Sequence, residues 1–253
     1  MKLLKFLLVI FGFYSVELMA IDLIRIGTAY GGWTIPKDLL HKESICYCAG
    51  AGEDISFDIG LVNEYGCNVY IFDPTPRAKK HFDYIATQVQ NGKKAKINNG
   101  NKYYTISEKQ LDKLFFHPFG LWHEESVQKF YVPKNSCHVS HSILNLQKTD
   151  QFFEAVCKRL STIMDQLGHN HLDLLKLDIE GAEYAVLDSI LEDNVSIRCI
   201  CLEFDELAGV NLQCNNRVAQ SIAKIKAYIQ KLENYGFKMI YQNGFTDMTF
   251  LKR

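Results

Sequence analysis

The chain has 253 residues, 47% apolar and 23% charged, and its 28 basic residues nearly balance 29 acidic ones for a net charge of −1. That balance supports a globular unit with a sizeable core. It excludes the clustered Lys and Arg of a nucleic-acid footprint, because the short runs Lys79-Lys80 and Lys93-Lys94 read as solvated surface.

Residues 1–20 come first. Two lysines sit within residues 1–5, residues 6–16 are almost all apolar, and Ala20 supplies small-residue cleavage chemistry, the pattern of a secretory signal peptide. The apolar run is about half of the roughly 20 residues that span a bilayer. A cleaved signal, a short membrane anchor and a buried helix of the domain all remain open. Residues 1–20 are therefore set apart from a domain over 21–253, with membrane association through the N-terminus or a cytoplasmic location as the alternatives.

From there the pattern alternates. Residues 44–49 read as a strand, 55–65 as a helix, 67–72 as a strand and 77–88 as a helix opened by Pro74-Thr75-Pro76. Residues 90–104, with Asn-Gly at 91–92 and 99–100, read as loop. A short helix over 108–114 precedes strands at 114–122 and 128–132, joined by His123-Glu124-Glu125. Residues 149–167 are expected to form one long helix, 172–177 a strand, 182–191 a helix and 197–204 a strand. Val218, Ile222, Ile225, Ile229 and Leu232 recur at helical spacing. Strands at 238–241 and 246–251 flank the turn Asn243-Gly244. This is an α/β chain with a mostly parallel sheet of about seven strands, helices on both faces, and an antiparallel C-terminal strand at one side.

The eight cysteines do not read as a disulfide framework. Cys46 and Cys48, like Cys199 and Cys201, stand two apart in apolar runs, so each pair points to one face of a strand without the geometry for a mutual bridge. They read as buried thiols, and no ligand-like spacing points to a metal.

Three stretches carry chemistry. Cys48-Ala49-Gly50-Ala51-Gly52-Glu53-Asp54 follows a strand and precedes a helix, so its backbone N–H groups and the helix N-terminus suit a carboxylate or phosphate. The plainer alternative is a tight structural turn. Asp73 ends the next strand about 20 residues on, where an acidic side chain accepts hydrogen bonds from ribose hydroxyls. Its plainer alternative is a cap on the following helix. Leu177-Asp178-Ile179-Glu180-Gly181-Ala182-Glu183 brings three carboxylates to another strand end, where helix capping competes with charge complementarity toward a sulfonium and an amino group.

These stretches resemble the FkbM family of S-adenosylmethionine-dependent methyltransferases. The likeness runs through Gly31-Gly32-Trp33, the glycine turn with Ile55-Ser56-Phe57, Phe72-Asp73-Pro74-Thr75-Pro76, and Asp178-Ile179-Glu180-Gly181-Ala182-Glu183, the most specific part. It continues through Pro118-Phe119-Gly120-Leu121-Trp122, Lys129-Phe130-Tyr131 and Asp247-Met248-Thr249-Phe250. The resemblance implies a Rossmann-like class I methyltransferase fold. It implies that Gly50 and Gly52 line the methionine end of S-adenosyl-L-methionine, that Asp73 holds the ribose, that Gly120 and Leu121 lie by the adenine, and that Asp178 and Glu180 face the methyl and the acceptor. Many methyltransferases of this fold have an acidic residue where this chain has Cys48, which leaves the contact to the cofactor amino group to Glu53 or Asp54. Proton removal from a hydroxyl acceptor falls to Asp178 first and His141 second. The implied acceptor is a hydroxyl on a sugar, glycan or small metabolite. An NAD-dependent oxidoreductase is the competing enzyme class, but Ile55 stands where its third glycine belongs. A non-catalytic, membrane-tethered cofactor-binding domain is the other alternative.

Overall fold

The structure is a computed structural model that describes residues 21–98, 101–133, 141–145, 149–205, 215–244 and 246–253. The signal or anchor expected at 1–20 lies outside the described residues, and among those described no helix is long and apolar enough to cross a membrane.

The chain opens with a hairpin of β1 (Leu23–Ile26) and β2 (Trp33–Pro36), antiparallel to each other. Then follow β3 (Ile45–Ala49), α1 (Ser56–Tyr65), β4 (Asn68–Phe72), α2 (Pro76–Gln90), the short α3 (Glu108–Leu111), β5 (Leu114–His117), β6 (Gly120–Leu121) and β7 (Ser126–Tyr131). The second half holds β8 (Phe152–Lys158), α4 (Leu160–Leu167), β9 (Leu172–Leu177), α5 (Glu183–Glu192), β10 (Ile197–Glu203), α6 (Asn215–Asn234), β11 (Phe237–Asn243) and β12 (Asp247–Lys252).

Seven strands form the central sheet in the order β11-β12-β10-β9-β3-β4-β5. Neighbours from β10 to β5 run parallel, and β12 is antiparallel to both its neighbours. The last strand thus inserts between β10 and β11 rather than closing the edge. Chain order reverses between β3 and β9, and ligands of open α/β sheets bind in the crevice at such a point, beyond the carboxyl ends of the strands.

Side-chain alternation builds a core on each face. Tyr47, Ala49, Leu175, Leu177, Ile200 and Leu202 pack with α4, α5 and α6 on one side. Cys46, Cys48, Leu174, Cys199 and Cys201 pack with α1, α2 and the hairpin on the other. The six described cysteines are buried free thiols, as their spacing implied.

Two expected elements are corrected. Residues 149–167 are not one helix: Phe152–Lys158 is a strand paired antiparallel with β7, and α4 starts only at Leu160. The sequence Phe-Phe-Glu-Ala-Val-Cys is rich in strand formers and its burial alternates with period two, whereas only Leu160, Ile163, Met164 and Leu167 keep a helical stripe. Residues 114–122 are not one strand either. Pro118 has no N–H to donate to a ladder, so β5 ends in the central sheet and β6 restarts in a separate sheet of order β6-β8-β7. The β1–β2 hairpin was not anticipated at all.

Candidate active site

A cavity of about 390 Å³ opens beyond the carboxyl ends of β3, β4, β9 and β10. All ten residues singled out from the sequence line it: Gly50, Gly52, Glu53, Asp54, Asp73, Gly120, Leu121, His141, Asp178 and Glu180. The volume falls in the range of small-molecule sites.

The glycine turn is shaped by its own neighbours. Gly50 has φ +83°, and a Cβ there would sit 1.7 Å from the Asp178 carbonyl oxygen. The close approach that requires glycine is therefore between the two strand ends. Gly50 N–H donates to the Phe72 carbonyl at 2.9 Å and Asp178 N–H donates to the Ala49 carbonyl at 3.2 Å, so the sheet's hydrogen bonding runs into the site.

Asp73 is buried and accepts four hydrogen bonds. Its Oδ2 takes the N–H groups of Ala51 (2.8 Å) and Gly52 (3.0 Å), while Oδ1 takes the Thr75 N–H (2.8 Å) and hydroxyl (2.6 Å). Thr75 in turn caps α2 through Ala78 N–H. One carboxylate thus joins the glycine turn to the next helix. That is more than the capping or ribose-holding weighed from the sequence alone.

The two acidic residues after the turn face different partners. Glu53 forms a forked pair with Arg77 of α2, at 3.2 Å from Nε and 2.8 Å from Nη2. Asp54 accepts from the Thr28 hydroxyl (2.7 Å) and Ser56 N–H (2.9 Å), which pins the hairpin turn to the rim. Tyr30, Gly31, Gly32 and Trp33 belong to that hairpin and line the cavity.

After β9 the backbone turns through Glu180 (φ +55°) and Gly181 (φ +99°). The left-handed conformation is costly for a residue with a side chain, on the order of 1–3 kcal/mol, and is held by its surroundings. Fully buried Glu183 accepts from Ile179 N–H (2.8 Å) and Gly181 N–H (2.9 Å), and the Ser142 hydroxyl donates to the Glu180 carbonyl. Ser142 also bridges to Tyr131 of β7, so the small sheet is stitched to this turn. His141 sits beside it, edge-on to Phe153 with ring centroids 5.6 Å apart.

Part of the cavity lining is acidic. Glu203 and Asp205, at the end of β10, and Asp247, at the start of β12, join Asp178 and Glu180. Burial first, then the neighbouring Asp178, pushes Glu203 up to about 10. Burial first, then Glu183 and Glu180, pushes Asp205 up to about 10. Burial likewise pushes Glu183 up to about 8. The Asp205 Oδ2 is buried without a hydrogen-bond partner.

Sequence reasoning missed Lys176, Glu203, Asp205 and Asp247. A lysine inside the apolar run Leu174-Leu175-Lys176-Leu177, two residues before Asp178, was the signal for Lys176. Of the aromatic residues at 115–122, Phe116 meets Phe82 and Phe119 meets Phe72, both half-buried, while Phe115 is exposed. The aromatic side chain from the small sheet that lines the cavity is Phe130.

Residues 48–239 match the family model described as the methyltransferase FkbM domain. A human protein, "Probable methyltransferase-like protein 24", is 22% identical over 165 residues, which is 64% of this chain and 32% of that protein. The chain thus spans about a third of that relative's length. Among solved structures, a methyltransferase FkbM from Methylobacillus flagellatus overlays with a TM-score of 0.48 at 11% identity, covering 83% of this chain and 44% of that one. An rRNA methylase from Streptococcus thermophilus gives 0.42 at 12%, covering 85% and 90%. TYW2 from M. jannaschii, in complex with AdoMet, gives 0.34 at 11%, covering 90% and 86%.

Proposed function

Because the chain belongs to the FkbM methyltransferase family, we propose that it uses S-adenosylmethionine to methylate a hydroxyl on a sugar, glycan or small metabolite. One observation carries this reading. Gly50, Asp73 and Asp178, from three strand ends, meet around a single cavity at the topological switch point, and part of its lining is acidic.

The residues fit the cofactor. The turn at Gly50 and Gly52 presents backbone to the methionine end. Asp73, whose acceptor positions already hold the glycine turn and Thr75, takes a ribose hydroxyl in place of the rotatable Thr75 hydroxyl, and Gly120 and Leu121 bound the adenine end. Glu53 or Asp54 takes the amino group. When bound, the cofactor supplies a methyl on a positively charged sulfur, so the transfer needs no further activation of the donor. The carboxylate of Asp178, which lines the cavity, suits that charge. The protein's task is alignment of the acceptor oxygen with the methyl carbon. Asp178 is paired with Lys176 at 3.1 Å, which suits an orienting anion. The acceptor's proton passes to Glu180 or His141, both of which line the cavity.

Calorimetric titration with S-adenosylmethionine, S-adenosylhomocysteine and NAD tests the reading. Binding of the first two, with methyl transfer to a hydroxyl acceptor, is the expected result. Binding of NAD alone overturns it, and binding of the pair without turnover on any hydroxyl acceptor favours a non-catalytic module.

A further inference from the structure

Lys176 stands in the middle of the sheet. Cys48, Lys176 and Cys201 lie abreast on β3, β9 and β10, all three buried. A lysine in such a row is costly unless its charge is met. Its Nζ donates to the Gly50 carbonyl and lies 3.1 Å from Asp178 Oδ2. Cys48 beside it offers no carboxylate. Asp58 of α1 is buried on the same face, with its Oδ1 unpartnered. Burial alone would lower the Lys176 pKa, but Asp178, Asp58 and Cys48 outweigh it and raise it.

The groups facing Asp178 are otherwise mostly acidic. Tyr30 from the rim, Glu183 at the start of α5 and Glu203 and Asp205 from β10 interact with it, while Asp54, Glu180 and Asp247 line the same cavity, with His141 the one imidazole there among the described residues. Lys176 is the one lysine or arginine lining the cavity among the described residues. Its two contacts reach both sides of the switch point: the turn after β3 and the carboxylate after β9.

We propose that Lys176 is a positioning residue whose ammonium locks the glycine turn to Asp178 and keeps that carboxylate anionic and aimed at the methyl-donor end of the cavity. The proposal rests on the cavity being a site for S-adenosylmethionine. Without Lys176, Asp178 loses the one cation beside it, and removing a neighbouring cation favours the protonated form of a carboxyl group, whose proton a cationic ligand then has to expel.

The test is calorimetric titration of the full chain with S-adenosylmethionine and S-adenosylhomocysteine from pH 6 to 9, in buffers of different ionisation heat, which counts the protons released. Lys176→Met is expected to release more protons per S-adenosylmethionine than the wild type, most clearly at the acid end of that range. Its affinity for that ligand should fall at least tenfold more at pH 6 than at pH 9, while the uncharged thioether S-adenosylhomocysteine responds less. Lys176→Arg should restore the wild-type pattern. A folded Lys176→Met that loses affinity for both ligands equally at every pH, or not at all, overturns the positioning role. Wild-type protein that binds neither ligand overturns the cofactor reading instead. If Lys176→Met does not fold, nitrogen-15 NMR of the wild-type lysine Nζ decides. The signal should stay that of an ammonium above the ordinary lysine range and shift on addition of S-adenosylmethionine. A signal titrating in the ordinary range and indifferent to the ligand overturns the proposal.

Discussion

Asp73→Asn changes one atom and tests the hub of the site. The wild-type carboxylate accepts two hydrogen bonds on each oxygen, from Ala51 and Gly52 on one side and from Thr75 on the other. Asparagine must point its NH₂ at one of these pairs. The Thr75 side is the milder choice, because that hydroxyl can rotate to accept, but the Thr75 N–H is then orphaned at a cost of about 1–3 kcal/mol. On the other side, two charge-assisted bonds of about 1.5–3 kcal/mol become neutral ones of about 0.5–1.5 kcal/mol, a further loss of about 2 kcal/mol together. The sum is about 3–5 kcal/mol, a large fraction of the roughly 5–15 kcal/mol that holds a domain together. At a urea slope of about 2–3 kcal/mol/M the unfolding midpoint should fall by about 1–2 M. On protein still folded, S-adenosylmethionine affinity should drop about tenfold or more, because the turn and the ribose acceptor are lost together. Urea unfolding without ligand and calorimetry with it separate the two effects. A wild-type midpoint would show that the four bonds do not hold the turn, and wild-type affinity would remove the ribose role.

Gly50→Ala should be far worse than Gly120→Ala. A methyl at residue 50 meets the Asp178 carbonyl at 1.7 Å with φ +83°, whereas one at residue 120 meets the Cys157 Sγ at 2.9 Å and the rim of Phe130 at 3.1 Å, side chains that can yield. Comparable expression, melting temperature and ligand binding for the two variants would contradict this. Stability should fall as pH rises from 7 to 10. Glu203 and Asp205 (each about 10) and Glu183 (about 8) keep protons when folded that the unfolded chain has lost. Their contribution is complete below the ordinary carboxylate range and drains away through pH 8–10. Urea midpoints at pH 6, 8 and 10 should decline in order, and Glu203→Gln should flatten the slope; a flat or rising series in the wild type would refute the assignment. The six described cysteines are buried, so a thiol reagent should modify them only on unfolding. Their modification in native protein at the rate of a free thiol would contradict their burial.

Much of the site was legible because its chemistry sits at strand ends. Gly50, Asp73 and Asp178 each follow an apolar run whose direction is forced by parallel pairing, so sequence spacing translates into a shared edge. The rest of the acidic lining was not legible. Glu203 and Asp205 reach the cavity because β10 pairs with β9, and Asp247 because β12 inserts between β10 and β11, and no local pattern encodes which neighbour a strand will choose. The error at 149–167 has the same origin. Phe152–Lys158 has a strand's composition, but its partner β7 lies across a long connection, so its pairing depends on distant residues.

The misread segment is also what completes the cavity. β6, β7 and β8 form a sheet of their own, and from it Gly120, Leu121 and Phe130 line one end of the cavity, the end proposed for the adenine. The connection between β7 and β8 brings His141 to the cavity and Ser142 to the Glu180 carbonyl. The central sheet alone supplies the glycine turn and the acidic strand ends, which on the proposed reading hold the cofactor. The small sheet meets the turn carrying Glu180, where an acceptor must approach. Cofactor binding is therefore tied to local strand–turn–helix rules that a sequence displays. Acceptor choice rests on long-range pairing of β6, β7 and β8, which it does not. Exchanging the connection between β7 and β8, which carries His141, with that of another family member should change acceptor preference while leaving Asp73-dependent cofactor binding in place.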